Sequence, residues 1–383
     1  MASNERDDYA TDGQQIAVLC VSNFSSLLSI FGSTSIIYII VRNKKCRTRQ
    51  QSGSRRGGED PSSGMFHRLM LGLSAGDCLV SLSTIIAPYL QPPDEHLLAA
   101  RGSTSTCSFA GVLLYAILSA ASYNSCLAFF YYKTIRVGDT EQQVSRRYEK
   151  WMHIFSVGLF VVFNAIAIPL EAYNPTESTR LCDIAQAPTN CDIDQDLECT
   201  RGQYTDSLST TVLLLLVSLG VVGITLTTLV FIRVRQVFKA SQKYRYEDQS
   251  SENKRKHRLA VQAILYCVTM VNLFLWGLSS TIFENQVPGE TRAHLGRPRV
   301  FAFLILQSFF FPLQGFFNFI IYTHPRLHSN LQRFPDNTFT YSFLRLYFEE
   351  DLPQTSFQKS SVRGISREEK KTTADEFKQE GEE

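Results

Sequence analysis

The sequence predicts an all-α membrane protein. The expected fold is a seven-transmembrane helix bundle with its N-terminus outside, its C-terminus cytoplasmic and a short amphipathic helix after the last span. Three observations lead there. Seven apolar stretches fall at roughly 15–41, 66–90, 107–132, 152–171, 206–232, 259–283 and 299–322, each close to the ~20 residues a helix needs to cross the hydrocarbon. Basic residues crowd every second connection, and the acidic connection between spans four and five holds three cysteines.

Each stretch is expected as a helix, because hydrocarbon offers no partner to backbone N–H and C=O groups and an open strand edge would leave them unmet. The 27 Phe and 16 Tyr, against two Trp, suit an aromatic-rich bundle in lipid. The mean hydropathy of −0.07 reflects dilution by polar connections and a charged tail. The acidic start (Glu5, Asp7, Asp8, Asp12) has no basic n-region, so the first run is expected to span the bilayer and not to be cleaved. The organisation that follows is an extracellular N-terminus at 1–14, a seven-transmembrane domain at 15–323, a membrane-surface segment at 324–352 and a disordered cytoplasmic tail at 353–383.

Charge sets the orientation. The first connection carries Arg42, Lys44, Lys45, Arg47 and Arg49. The third carries Lys133, Arg136, Arg146, Arg147 and Lys150, and the fifth Lys254, Arg255, Lys256 and Arg258. The connection between spans four and five is acidic, with Glu177, Asp183, Asp192, Asp194, Asp196 and Glu198. Positive charge stays inside, so the odd connections are assigned to the cytoplasm. Of nine Cys, Cys107 begins the third span and Cys182, Cys191 and Cys199 lie in the acidic connection, all on the oxidising side. Four cysteines allow three pairings. The favoured set is Cys107–Cys199 with Cys182–Cys191, and Cys107–Cys191 and Cys107–Cys182 stay open. Cys20, Cys78, Cys126 and Cys267 are expected as small packing residues.

Ionisable groups inside a membrane are costly and usually functional. One is expected deep in the bundle: Asp77, in Leu73-Ser74-Ala75-Gly76-Asp77-Cys78-Leu79. Its candidate partners are Asn318 and Tyr322 in the last span, Asn124 in the third and Ser33 in the first. Such a cluster would hold a hydrated Na⁺, exchange a proton, or tie span one to span seven. His153 is expected to reach the interface by snorkelling. Gly72, Gly76 and Gly32-Ser33 let helices approach closely. In the last span Pro312 removes a helix hydrogen bond, which predicts a bend. Gln314, Asn318 and Tyr322 follow on one face. Beyond it, Leu327, Leu331 and Phe334 beside Arg326 and Arg333 read as a helix lying on the inner membrane surface.

Over roughly residues 15–334 these features resemble the G-protein-coupled receptor superfamily. Asp77 in its Leu-Ser-x-x-Asp-x-Leu context is similar to the superfamily's second-helix acid. Cys107 with the cysteines of the next outer loop looks like its extracellular disulfide. Asn318-Phe319-Ile320-Ile321-Tyr322 is similar to the Asn-Pro-x-x-Tyr motif of rhodopsin-like receptors, with Phe319 in the proline position. The Gln314-Gly315 pair looks closer to cyclic-AMP-receptor-like and secretin-like receptors. Tyr131-Tyr132-Lys133 stands where rhodopsin-like receptors carry Asp-Arg-Tyr, and Trp276 is the candidate toggle tryptophan.

The resemblance implies a plasma-membrane receptor without enzymatic chemistry or cofactor. It would transduce an extracellular ligand signal to an intracellular partner, a heterotrimeric G protein. Tyr115, Ser119, Glu284 and Arg299 are the candidate ligand-binding residues in the outer half. Asp77, Asn124, Trp276, Gln314, Asn318 and Tyr322 form the candidate polar switch. Lys133, Arg136, Lys254, Arg255, Lys256 and Arg258 are the candidate partner-binding residues. The main rival is a seven-helix small-solute transporter, but spans one to three and five to seven show no repeat. A retinal Schiff base would need a lysine in the last span, and 299–322 has none. No metal-ligand spacing and no nucleic-acid module is legible.

Overall fold

The structure is a computed structural model. It describes residues 12–51, 64–93, 99–176, 180–188, 191 and 198–243, single helical positions between 265 and 279, then 298–333 and single positions between 338 and 347. Two compact units divide the chain at Pro325. In the second, Arg326–Glu383, the rings of Phe343 and Tyr347 meet at 5.5 Å.

The first unit is built from long helices. α1 (Asp12–Gln51) and α2 (Met65–Leu90) are followed by α3 (Thr104–Leu114) and α4 (Ala116–Tyr131), which run on through a break at Tyr115. A wider π-type turn (Tyr132–Val137) and Gly138, at φ 91°, end that helix. A short α5 (Glu141–Val144) and a second π-type turn (Ser145–Glu149) lead into α6 (Lys150–Ala167). After the hairpin β1 (Tyr173–Pro175) and β2 (Cys182–Ile184) come α7 (Thr205–Lys243), α8 (Pro298–Phe310) and α9 (Gln314–Arg333).

Among the described residues, five helical runs are long and apolar enough to cross a membrane: Gly13–Arg42, Met65–Leu90, Thr104–Val137, Glu141–Ala167 and Thr205–Gln236. The bent pair α8–α9 makes a sixth if counted as one span. The expected span at 259–283 lies largely outside the described residues, as do 1–11, the later part of the first connection at 52–63 and the tail from 351, whereas Arg42 to Arg49 of that connection fall within α1. The fourth helical run starts earlier than its apolar stretch because Thr140 and Gln143 form a capping box in front of Glu141. It ends earlier because the chain turns over residues 168–171, with Glu171 at φ 48°.

Packing follows the small residues. α3–α4 is the central helix, 83% buried over its apolar window, whereas α6 is 28% buried and turns most of its surface outward to lipid. Close approach needs small side chains when no water drives association. A Cβ at Gly76 would meet Ala120 at 3.2 Å, and one at Gly72 would enter the Tyr123 ring. Hydroxyls tie the helices across these contacts. Ser26 and Thr84 share a 2.7 Å bond between α1 and α2, and Ser125 donates to the Leu219 carbonyl of α7 at 3.1 Å.

The hairpin caps one end. Its register is Tyr173↔Ile184, Asn174↔Asp183 and Pro175↔Cys182. Beneath it, Tyr115, Phe163, Tyr173, Ile184, Leu208 and Val212 make an apolar cluster. The disulfides are Cys107–Cys182 and Cys191–Cys199, with Cα atoms 5.3 and 5.2 Å apart. This corrects the favoured pairing of Cys107 with Cys199 and Cys182 with Cys191. Strand β2 lays Cys182 on the start of α3, where both sulfurs are fully buried. A separate bridge, Ala187↔Arg201, folds the later part of the connection back on itself and brings Cys199 to Cys191.

Candidate functional site

The last span breaks over Phe311–Leu313, and α8 and α9 meet there at a 45° bend. Pro312 has no N–H to give the carbonyl one turn earlier, that of Ser308. Ser25 of α1 supplies the missing donor, its Oγ reaching the Ser308 oxygen at 3.0 Å. The Gly315 N–H also leaves the helix ladder and donates to Ser29 Oγ at 3.1 Å, where Ser81 Oγ donates as well at 2.8 Å. On the other side, Asn272 Nδ2 donates to the Phe310 carbonyl at 3.3 Å. Backbone groups loosened by the break are thus met by side chains from neighbouring helices, as a membrane interior requires.

Below the bend lies a buried polar cluster. Asp77 is 4% exposed, and Asn318 Nδ2 donates to its Oδ2 at 2.8 Å. Gln314, one turn before Asn318, is also buried. Among the described residues neither amide atom of Gln314 or of Asn124 has a hydrogen-bond partner, and neither has Ser74 Oγ. Buried amides are normally paired. A buried carboxylate held by a single amide can coordinate a small hydrated cation, pass a proton, or change partners when a helix moves.

The other switch candidates sit elsewhere. Trp276 stacks on Phe310 (5.6 Å between centroids, 4° between planes), and its Nε1 donates to Asn272 Oδ1 at 3.2 Å, so it grips the bend. Tyr322 is buried in an aromatic cluster at the end of the bundle away from the hairpin. It stacks on Phe66 at 6.2 Å and meets His67 edge-on. Tyr131 is 6.2 Å from Phe66 and stacks on Tyr266 at 6.3 Å. Helices α2, α4, α9 and the segment holding Tyr266 therefore meet through rings at that end.

A clasp that the sequence did not single out flanks this cluster. Arg68 of α2 forks onto Glu149, with Nε to Oε1 and Nη2 to Oε2 at 2.7 Å, and Nη2 also reaches Ser145 Oγ at 3.2 Å. Glu141 accepts the Phe66 N–H at 3.2 Å, at the positive start of α2. His153 does not snorkel: its Nδ1 meets the Tyr123 hydroxyl at 3.0 Å, and Glu149 lies 3.8 Å from its Nε2. The available signal was an arginine just inside an apolar span together with Glu149 and His153 at helical spacing.

At the hairpin end Tyr115 is buried and committed. Its hydroxyl donates to Asp183 Oδ1 at 2.6 Å and its ring stacks on Phe163 at 4.8 Å. Burial pushes the Asp183 carboxyl above its ordinary value, against the pull of the Tyr115 hydroxyl and the Ile184 N–H. Burial likewise raises the Tyr173 phenol, which donates to Asn164 Oδ1 at 2.7 Å, and lowers Arg180, which donates to Gln15 Oε1 at 2.6 Å. Ser119 is buried one turn beyond Tyr115, so these two ligand candidates line the same helix. Arg299 is exposed at the start of α8, and Glu284 lies outside the described residues. Of the partner-binding candidates, Lys133 pairs with Asp139 at 2.9 Å and lies over the Tyr148 ring, and Arg136 is exposed. Lys254, Arg255, Lys256 and Arg258 lie outside the described residues.

No protein-family model matches this chain, and no curated protein matches it. Its long apolar helices and disulfides define a helical, membrane-embedded protein.

Proposed function

We propose that this chain is a seven-transmembrane receptor of the G-protein-coupled type. Its hairpin end faces outward, its basic connections lie in the cytoplasm, and it passes binding of an extracellular ligand to a heterotrimeric G protein. The observation that carries the reading is the joint at 311–313. A bent helix is tied by single hydrogen bonds to α1 and to the segment holding Asn272, in a bundle that also buries a carboxylate and amide groups unmatched among the described residues. Two disulfides at the hairpin end support an oxidising exterior there, and Arg136, Arg146, Arg147 and Lys150 at the other end support a cytoplasmic face. Ligand bound in the outer half would favour one setting of the joint, and the rings around Tyr322 would repack at the inner mouth. That is a population shift driven by differential affinity.

The test is a ligand panel on cells expressing the chain, read by a second messenger, with solute uptake measured on the same cells. Second-messenger responses that require the chain support the receptor; uptake without them favours the small-solute transporter. Asp77→Asn at equal surface expression is expected to change the ligand response or its Na⁺ dependence. Unchanged behaviour in both would remove Asp77 from the switch.

A further inference from the structure

We propose that Asp183 is a proton-binding site on the outer face, and that its proton keeps the hairpin latched to the break in the central helix. Uptake of one proton seats the hairpin and its loss favours release, so the extracellular proton is an allosteric ligand of this chain. The proposal deepens the receptor reading and rests on its outward-facing hairpin.

Placement is the first argument. The register Asn174↔Asp183 sets the residue in β2 between Cys182, which is bonded to α3, and Ile184, which joins the apolar cluster. The hairpin presses closely there: a Cβ at Gly111 of α3 would meet the Tyr173 ring at 2.7 Å. Asp183 then reaches Tyr115, whose ψ of 1° interrupts the run of α3 into α4. The carboxyl thus touches the central helix at the point where that helix is broken.

Unequal use of the two carboxyl oxygens is the second. The Tyr115 hydroxyl donates to Oδ1 at 2.6 Å, and the Ile184 N–H donates to the same atom at 2.7 Å. Among the described residues nothing donates to Oδ2 and no cation pairs with the group. Arg201 is engaged by Asn174 Oδ1 at 3.1 Å and by Glu171 at 3.5 Å. The titratable groups facing Asp183 are the Tyr115 and Tyr173 phenols, and α6 and α7 bring Phe163, Leu208 and Val212 to the cluster. An ionised carboxylate here gives up water without gaining a donor at Oδ2. The neutral acid keeps Oδ1 as acceptor and carries its proton on Oδ2. Burial outweighs the two donors and raises the proton affinity of the seated group, while the half-buried residue stays within reach of outer water.

Reciprocity completes the argument. A group that binds its proton more tightly when seated must be seated more firmly when the proton is bound. The latch is therefore closed in acid and weakens as pH rises through the seated value.

Infrared difference titration of the purified chain in nanodiscs reads the carboxyl directly. The parent should show a protonated-carboxyl band that titrates above the ordinary aspartate range, and Asp183→Asn should lack it. Tyr115→Phe keeps the ring stack and removes one donor from the ionised form, so the titration should move up by about one to two pH units. Identical parent and Asp183→Asn spectra overturn the site, and so does an unmoved titration in Tyr115→Phe. Hydrogen–deuterium exchange tests the latch. Relative to Asp183→Asn at the same pH, hairpin amides of the parent should lose protection as pH rises. The loss should be about tenfold for each unit by which seating raises the proton affinity, and a constant ratio overturns the latch. Steps of extracellular pH on expressing cells then separate the two readings. Proton uptake with hairpin release but no second-messenger response refutes the receptor and leaves the latch standing. A response to acid that persists in Asp183→Asn, with no Asp183 band in the parent, refutes the latch and leaves the receptor.

Discussion

Gly32 on α1 and Gly315 on α9 allow the first and last helices to touch through their backbones, and this contact is open to a sharp test. A Cβ at Gly32 would lie 2.7 Å from the Gly315 oxygen and 2.8 Å from Phe316 Cα. Ordinary contact begins near 3.4 Å, and both obstacles are backbone, so Gly32→Ala must push the helices apart by about 0.7 Å. Overpacking of this kind costs about 1–3 kcal/mol, and stretching the Gly315–Ser29 bond adds about 1 kcal/mol. Alanine recovers about 1 kcal/mol of helix propensity over glycine. The net loss of about 1–3 kcal/mol lowers the folded-to-unfolded ratio roughly fivefold or more.

Gly158 on α6 supplies the control, because nothing lies within 4 Å of its added Cβ. Thermal melting of the purified protein in one detergent should show Gly32→Ala well below the parent and Gly158→Ala at or slightly above it, since the propensity gain there meets no clash. Gly315→Ala would strike the Ser33 hydroxyl, a side-chain tip, as well as Ser29. Ser33→Ala should therefore restore part of the Gly315→Ala loss and none of the Gly32→Ala loss. Melting of Gly32→Ala together with Gly158→Ala would refute the claim that backbone contact sets the α1–α9 distance.

Three further expectations concern the rest of the fold. Peptide mapping without reduction should recover Cys107 linked to Cys182 and Cys191 linked to Cys199; a Cys107–Cys199 peptide would refute the hairpin's position over α3. Glu149→Gln and Arg68→Lys should each lower stability by about 1–2 kcal/mol, the charge-assisted value reduced for a partly exposed pair. Lysine fails there because it cannot fork onto the carboxylate, and parental melting of both variants would count against the clasp. Asp183 holds its proton to higher pH when folded, since burial raises it above its ordinary 3.8. Stability contributed at the hairpin end is then greatest below that value and declines as pH rises through the folded value. Melting across the acidic range should show this decline in the parent and not in Asp183→Asn, and equal slopes would rule out the carboxyl as its source.

Much of this was legible because lipid imposes simple rules. Apolar length marked the helical runs, and Pro312 marked the bend, since a missing N–H has one structural consequence wherever it occurs. Asp77 was conspicuous as a lone acid amid Leu and Ser, and the Asn318 amide was the natural group to meet it. The cysteine pairing was not legible. It depends on a hairpin of three-residue strands and on the Ala187↔Arg201 bridge, neither of which has enough periodicity to read in advance. Arg68 and His153 were obscured by position, because charges near span ends are usually solvated and only tertiary contact distinguishes a clasp from an anchor. Tyr322 continues the face of Gln314 and Asn318, yet a ring at that level meets Phe66 and His67 where the Asn318 amide one turn earlier meets Asp77.

Ser25 and Ser29, one turn apart on α1, each answer a backbone group of the broken helix. The first helix is consequently a template for the shape of the last one, and the two cannot change independently. Straightening or further bending at Pro312 strands a carbonyl or an amide unless α1 slides or rotates with it. The bend at Pro312 is thereby a property of two helices and not of one.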